Sequence, residues 1–357
     1  MVEPSGPLVP ISRPVLGAAE RAAVDRVLAS GSLIQGAEVA AFETEFGDGV
    51  EHRECVALAS GTAALHLGLM AAGIKPGDEV VVPAFTFAAT ANAVVQVGAV
   101  PVFADIDPRT YCLDPAAVET ALTPRTAAVI AVHLYGHPAD MEALRLLADR
   151  HGLLLMEDAA QAQGACLRGR PAGALADVAA FSFYPSKLMT TGEGGMLVCA
   201  DPAVATTART LRNQGVGAEP LIGLNARMTE MAAAIGRVQL TRAPEFLARR
   251  RDNAAIWDLA LGPDLTPYRA EGTEHGQSVY TIRHADRDAA RSRLEDEGVE
   301  TRVYYDTPLH LTPQYIRPDR APLPASEAAA RAVLSVPVGP HLDQSAVERV
   351  RQALARL

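Results

Sequence analysis

Between Leu58 and Cys199 short apolar runs alternate with segments of helical period, and that alternation leaves few ways for the chain to fold. Val80–Val82 precedes an alanine-rich stretch from Ala88 to Val97. Val100–Phe103 precedes a helical stretch beginning at Asp114, Ala127–His133 precedes Met141–Arg150, and Leu153–Met156 follows. Strands joined through a helix pair in parallel, because the direct connection between antiparallel neighbours needs only a few residues. Val178–Phe183 and Gly195–Cys199 lie closer together and close the sheet through loops. This part of the chain reads as a large doubly wound α/β domain. In such sheets ligands collect where strands end.

The pattern changes after Thr229. Met231–Arg242 and Glu245–Leu261 read as two helices parted by Pro244, since proline breaks one helix and starts another. A smaller α+β region follows: a strand over Ser278–Ile282, a helix over Asp286–Glu297, a strand over Thr301–Tyr305 and a terminal helix over Gln344–Leu357. The expected division is a large domain at 1–245, with an amino-terminal arm, and a small domain at 246–357.

The 357 residues carry 42 acidic and 32 basic side chains, a formal charge of -10 that argues against binding nucleic acid or an anionic membrane. The one basic run, Arg249–Arg251, reads as a solvated helix face or a set of salt-bridge donors. Residues 1–7 show no basic leader followed by an apolar stretch, and no apolar run reaches the roughly 18 residues of a membrane helix. Cys55, Cys112, Cys166 and Cys199 are scattered without metal-type spacing. They read as small buried residues of a cytoplasmic protein, and no metal site is expected.

Two strand ends carry the polar groups. Leu153–Gln161 delivers Asp158 and Gln161, while Phe181–Lys187 delivers Ser182 and Lys187 and leads into the flexible Thr191–Gly195 segment. Glu157, beside Asp158, points to the opposite strand face and reads as structural. The chain has only two lysines, Lys75 and Lys187. A lysine drawn out of water has a lowered pKa and attacks carbonyls. Ser60–Gly73 reads as a helix entered through a tight turn at Gly61, with free N–H groups and the hydroxyls of Ser60 and Thr62 forming a seat for phosphate. Neither a dinucleotide nor a nucleoside-triphosphate fingerprint is present.

The chain resembles the DegT/StrS-type nucleotide-sugar aminotransferases, which depend on pyridoxal 5'-phosphate (PLP) and have the aspartate aminotransferase fold, fold type I. The resemblance runs through Ser60–Leu65, Pro76–Val80, Pro83–Asn92, Glu157–Ala162, Phe181–Lys187, Thr190–Gly195, Gly223–Glu230 and Tyr304–His310. It implies a mostly parallel seven-stranded sheet in the large domain and a smaller C-terminal α+β domain. It further implies that Lys187 holds the cofactor as a Schiff base and moves the substrate proton, and that Asp158 pairs with the pyridinium nitrogen. Gln161 is expected at the cofactor ring and Phe87 stacked on it, with Gly61, Thr62, Ala63 and Ser182 around its phosphate. Asn225 is expected to reach that phosphate from a neighbouring subunit, which makes a homodimer with shared active sites.

Glu193, Tyr305 and His310 match the sugar side, and residues 300–320 and Ser30–Gly36 are expected to line that pocket. Asp306 and Gln214 depart from the family pattern, where proline and histidine are common, and both bear on sugar identity rather than on the cofactor. The remaining histidines, His66, His133 and His151 among them, read as core or surface residues. The implied reaction moves an amino group from an amino-acid donor, L-glutamate, to a nucleotide-linked keto-deoxysugar. A keto-cyclitol acceptor and a non-catalytic subunit of the same fold stay open. The presence of both Lys187 and Asp158 favours catalysis.

Overall fold

The computed structural model describes residues 8–217, 220–316 and 321–357. The leader-free terminus read at residues 1–7, and the end of the 300–320 stretch, lie outside the described residues. The large sheet contains β1 (Glu54–Leu58), β2 (Glu79–Pro83), β3 (Val100–Ala104), β4 (Thr126–Val132), β5 (Leu154–Asp158), β6 (Val178–Ser182) and β7 (Gly195–Cys199). Their order across the sheet is β1-β7-β6-β5-β4-β2-β3. Strand β7 runs antiparallel to both β1 and β6, and the other pairs are parallel. The mostly parallel seven-stranded sheet is therefore present.

Period-two alternation explains why both faces are covered. Val80, Val82, Ala128, Ile130 and Met156 face one core; Val81, Val129, Ala131 and Leu155 face the other. Helices α3 (Gly61–Ala71), α4 (Ala88–Gln96) and α7 (Pro202–Arg212) cover the first face through Leu65, Leu69, Val94 and Leu211. Helices α5 (Pro115–Ala121) and α6 (Met141–His151) cover the second through Val118, Leu144 and Leu147. Two earlier helices, α1 (Ala18–Ser30) and α2 (Ala37–Asp48), pack against the start of α8 (Glu230–Ala260). Strand β1 and helices α1, α2 and α7 had no counterpart in the reading of the sequence.

Helix α8 corrects the expectation of two helices, because it runs unbroken through Pro244. A proline inside a helix costs about 3 kcal/mol. Anchors on both sides hold this one. Before the proline, Arg237 bonds Glu38 and Glu45 of α2, and Arg242 bonds Glu20 of α1. Beyond it, the fully buried Trp257 donates its indole N–H to Pro337 at 2.9 Å and Asn253 donates to Val338 at 3.1 Å.

The carboxyl-terminal part builds a two-stranded antiparallel sheet from β8 (Tyr280–Arg283) and β9 (Val333–Val336). Helices α9 (Arg287–Asp296), α10 (Pro324–Ala332) and α11 (Gln344–Leu354) accompany it. Trp257, Ile282, Leu294, Leu334 and Val350 share one core here, joined by Val9 from the start of the chain. Thr301–Tyr305 is not the expected strand. Only Arg302 bridges to Ser335, after which the chain leaves the sheet edge and carries Tyr304 and Tyr305 in among Phe85, Phe87 and Tyr135.

Glu230 joins α8 to α2. Its buried carboxylate accepts the N–H groups of Gly36, Glu38 and Val39 at 2.8–2.9 Å, capping from a distance the helix start that Gly36 has no side chain to cap. Glu230→Ala leaves these donors without partners, and a stability loss of about 2–4 kcal/mol in chemical denaturation is expected. A loss under about 0.5 kcal/mol would show the cap to be dispensable.

Candidate active site

The polar groups sit at neighbouring strand ends. Asp158 is the last residue of β5 and Ser182 the last of β6, and the two strands pair with Asp158 opposite Ala180. The first turn of α3 lies directly against them. A Cβ on Gly61 would come within 2.8 Å of the Ser182 Cβ and 3.3 Å of the Phe181 carbonyl oxygen, so only glycine permits this approach. The Ser60 hydroxyl accepts the Ala63 N–H at 3.1 Å, and Gly61 and Thr62 precede the first intrahelical bond. The half-buried start of α3, beside Ser182, is thus a concave seat of N–H groups at the positive end of a helix.

Across from that seat, Asp158 is buried. Its Oδ2 accepts the Thr90 hydroxyl at 2.7 Å and its Oδ1 accepts the Ala160 N–H at 3.2 Å. Burial pushes the carboxyl pKa up, against the pull of Thr90, Ala160 and the Lys187 charge. Thr90 also shares a hydrogen bond of 3.2 Å with Thr86. Neither threonine stood out in the sequence as a site residue, although both lie inside the Pro83–Asn92 motif.

Glu157 does face the other way. It accepts from the Nε2–H of His133 and from the backbone N–H groups of Gly173, Leu175 and Ala176, all within 3.0 Å. His133 carries its proton on Nε2, since Nδ1 accepts the Ala139 N–H. Adjacent carboxylates therefore serve different faces: Glu157 ties loops together, and Asp158 looks into the site.

Lys187 follows β6 on a turn closed by its N–H to the Tyr184 carbonyl, 2.9 Å. Burial lowers its amine to about 8, the Asp158 charge opposes that shift and the Arg250 charge adds to it. Gln163 braces the loop, donating to the Ser182 carbonyl at 2.8 Å and accepting the Met189 N–H at 3.2 Å. The reading of Arg249–Arg251 as a solvated helix face or salt-bridge donors holds for the exposed Arg249 and for Arg251, which pairs with Glu274, and fails for Arg250. Arg250 is 4% exposed and donates to the carbonyls of Gln277, Ser278 and Lys187, because α8 turns that side chain between the two halves of the chain.

The remaining expected residues divide. Gln161 accepts the Tyr135 N–H at 2.7 Å and donates to the Tyr305 hydroxyl at 3.2 Å, so it fixes the aromatic wall. The Tyr305 ring lies 6.0 Å from that of Phe87, and Phe87 is 58% exposed. An exposed aromatic at a helix start is no core residue; it is a free face for stacking. His310 is buried, with Nε2 3.4 Å from Glu327 of α10, and Glu193 is exposed. Asn225 is exposed on a loop paired to Asn213.

These residues fit PLP. The seat at α3 suits a phosphate, Phe87 offers a stacking face, Asp158 suits a pyridinium nitrogen, and Lys187 supplies the amine. The sequence profile of the DegT/DnrJ/EryC1/StrS aminotransferase family matches residues 14–355. The chain belongs to this family. It is 46% identical over 91% of both chains to the erythromycin biosynthesis sensory transduction protein EryC1 of Saccharopolyspora erythraea. It is 45% identical to a dTDP-3-amino-3,4,6-trideoxy-alpha-D-glucose transaminase of Streptomyces venezuelae, over 93% of this chain and 90% of that one. Among solved structures it superposes on DesV of S. venezuelae with a TM-score of 0.93 and 42% identity, over 98% of each chain. It is accordingly a PLP-dependent sugar aminotransferase of the aspartate aminotransferase fold.

Thr90→Val removes a donor from Asp158 at nearly constant volume, so the carboxyl pKa rises further. A carboxyl raised above its unfolded value loses folding stability as pH climbs from the unfolded value through the folded one. Cofactor-free Thr90→Val should lose about 1–2 kcal/mol more than the unmodified chain between pH 4 and 7 in denaturant titrations. Identical slopes would separate Thr90 from the ionisation of Asp158.

Proposed function

We propose that the enzyme transfers an amino group from L-glutamate to a keto group on a nucleotide-linked deoxysugar, as a cytoplasmic homodimer with shared active sites. The observation that carries the proposal is Lys187, an amine lowered to about 8 beside the buried Asp158. At pH 7 roughly a tenth of such an amine is neutral, against about one part in three thousand for an ordinary lysine. Lys187 thus joins a carbonyl readily and, once displaced, holds or returns a proton at Nζ. Bound PLP supplies an electron sink for the carbon that loses and regains that proton. Asp158, its carboxylate oriented by Thr90, would hold a negative charge toward the cofactor's ring nitrogen. The start of α3 and Ser182 would hold the phosphate, and Phe87 would offer a stacking face.

The acceptor class is supported by the dTDP-sugar transaminase relative and by the exposed Phe87, whose ring lies 6.0 Å from that of Tyr305. Glu193, Tyr305 and His310 are proposed on the sugar side, His310 acting from beneath through the turn it anchors. The expected division at residue 245 falls within α8, whose two halves enter different cores through Ala233 and Trp257. All four cysteines are free, and no helix among the described residues is long and apolar enough to cross a membrane.

The homodimer is supported by the loop from Asn213 to Asn225. Its strands close on one another through Gly215 and Gly223, where a Cβ on either would strike the facing backbone. The loop presents Val216, Leu221, Ile222 and Leu224 to solvent, with Ile222 93% exposed. Asn225 closes this loop, whose exposed apolar side chains a second copy would cover.

Three measurements test these statements. Lys187→Ala should abolish the visible absorbance of bound cofactor and cut amino transfer by roughly a thousandfold or more; survival of both removes Lys187 from its role. Comparing a dTDP-linked or UDP-linked keto sugar with a free keto-inositol decides the acceptor. Ile222→Asp should shift the protein toward monomer in sedimentation and weaken cofactor retention together. A dimer of unchanged strength would place the interface elsewhere.

A further inference from the structure

Among the described residues, Arg250 is the one buried cation beside Lys187 that the proposed reaction does not use. It sits on α8 with 4% of its surface exposed, and no carboxylate among the described residues pairs with it. Its Nη1 donates to the carbonyl oxygens of Gln277 and Ser278 at 2.9 and 2.7 Å. Its Nη2 reaches the Lys187 carbonyl at 3.4 Å, and its buried Nε has no partner. Arg13, Lys187, Leu188, Thr190 and Pro340 line the same small cavity.

A buried guanidinium ordinarily pairs with a carboxylate, because unpaired burial is costly. Here three backbone carbonyls take that place. They engage Nη1 and Nη2, leave Nε unpaired, and do not cancel the charge. The surroundings reinforce the point. His341 and Arg13 approach from the carboxyl-terminal part and from the amino-terminal arm, and Asp158 on β5 is the anion that opposes the amine of Lys187. Neutralising Arg250 with an acid would remove its influence on the amine. Leaving it unneutralised preserves that influence.

We infer that Arg250 is a positioning residue, tying the Lys187 loop to the 277–278 segment and holding an uncancelled positive charge against Lys187 so that its amine stays reactive. The charge opposes protonation of the neighbouring amine, and the carbonyl contacts fix where the lysine's main chain lies. The inference rests on Lys187 being the reactive amine, yet its test reads that amine directly and needs no cofactor or substrate.

The chain's lysine content makes the measurement clean. Lys75 is exposed and Lys187 is the only other lysine, so Lys75 is an internal reference. Cofactor-free protein is labelled with trace acetic anhydride across pH 6–11, and the acetylation of each lysine is read by peptide mass spectrometry. The unmodified chain should show Lys187 titrating below Lys75; coincident midpoints would overturn the inference. Arg250→Gln keeps a donor but drops the charge. It should leave roughly three- to tenfold less free Lys187 amine at pH 7, with Lys75 unchanged. A folded Arg250→Gln protein with an unmoved Lys187 profile overturns the inference.

Arg250→Lys keeps the charge while giving up the forked grip on Gln277 and Ser278. Its added lysine is resolved in the same peptide map. Retention of the low Lys187 midpoint supports the inference, and a midpoint raised toward that of Lys75 overturns it. This variant carries the test alone if Arg250→Gln does not fold. A purely structural arginine would lower thermal stability in both variants and move neither profile. Failure of the sugar-transfer reading would leave these labelling curves unaffected.

Discussion

A lysine and an aspartate, drawn out of water at the carboxyl end of one parallel sheet, set the terms for the rest of this molecule. Each is penalised by burial, in opposite directions: the acid is pushed up and the amine down. Each relieves part of the other's penalty. Left alone, such a pair would settle into a salt bridge of little use. Thr90 and the Ala160 N–H instead hold Asp158 from its own side, while Arg250 presses on Lys187 from the other. The acid is thereby available to a ligand's positive ring, and the amine is available to a carbonyl.

That arrangement needs a rigid frame. Parallel strands β4, β5 and β6 bring their ends to one edge, and covered faces prevent slippage, because a one-residue shift would turn Glu157 and Asp158 inside out. Glu157 shows what is at stake. Turned to the opposite face, it ties His133 to the 173–176 turn and so holds β5 in register. Helix α8 performs the longer-range task. It caps α2 through Glu230, anchors α1 and α2 through Arg237 and Arg242, enters the carboxyl-terminal core at Trp257, and passes Arg250 under the reactive loop on the way.

Much of this was legible in the residues. Short apolar runs ending in Asp158 and Ser182 announced both the strands and the place where chemistry would gather, because strand ends are local properties. Gly61 and Lys187 were legible for the same reason. Thr90 was not, since a threonine in an alanine-rich stretch does not reveal which carboxylate it will meet 68 positions away. Arg250 was misread because a run of three arginines looks solvated until the helix bearing it is wedged between two cores. Pro244 misled similarly. Its local penalty is real, but anchors on either side outweigh it, and those anchors come from residues 80 to 222 positions distant.

The aromatic rim shows how the same constraints extend to the substrate side. Gln161 uses both ends of its amide within the protein, one on Tyr135 and one on Tyr305, so its contribution to a bound ring comes through the wall it fixes. Tyr305 reaches that wall only because the chain gives up a strand after Arg302 and turns inward. Phe87, by contrast, stays exposed, with its ring tilted 32° from that of Tyr305. One aromatic face is therefore held firmly by hydrogen bonds and the other is left free to close on a planar ligand. A pocket built this way recognises the cofactor through a fixed polar floor. Beyond Tyr305 the chain continues through the exposed Asp306, the position that the sequence pattern marks as bearing on sugar identity.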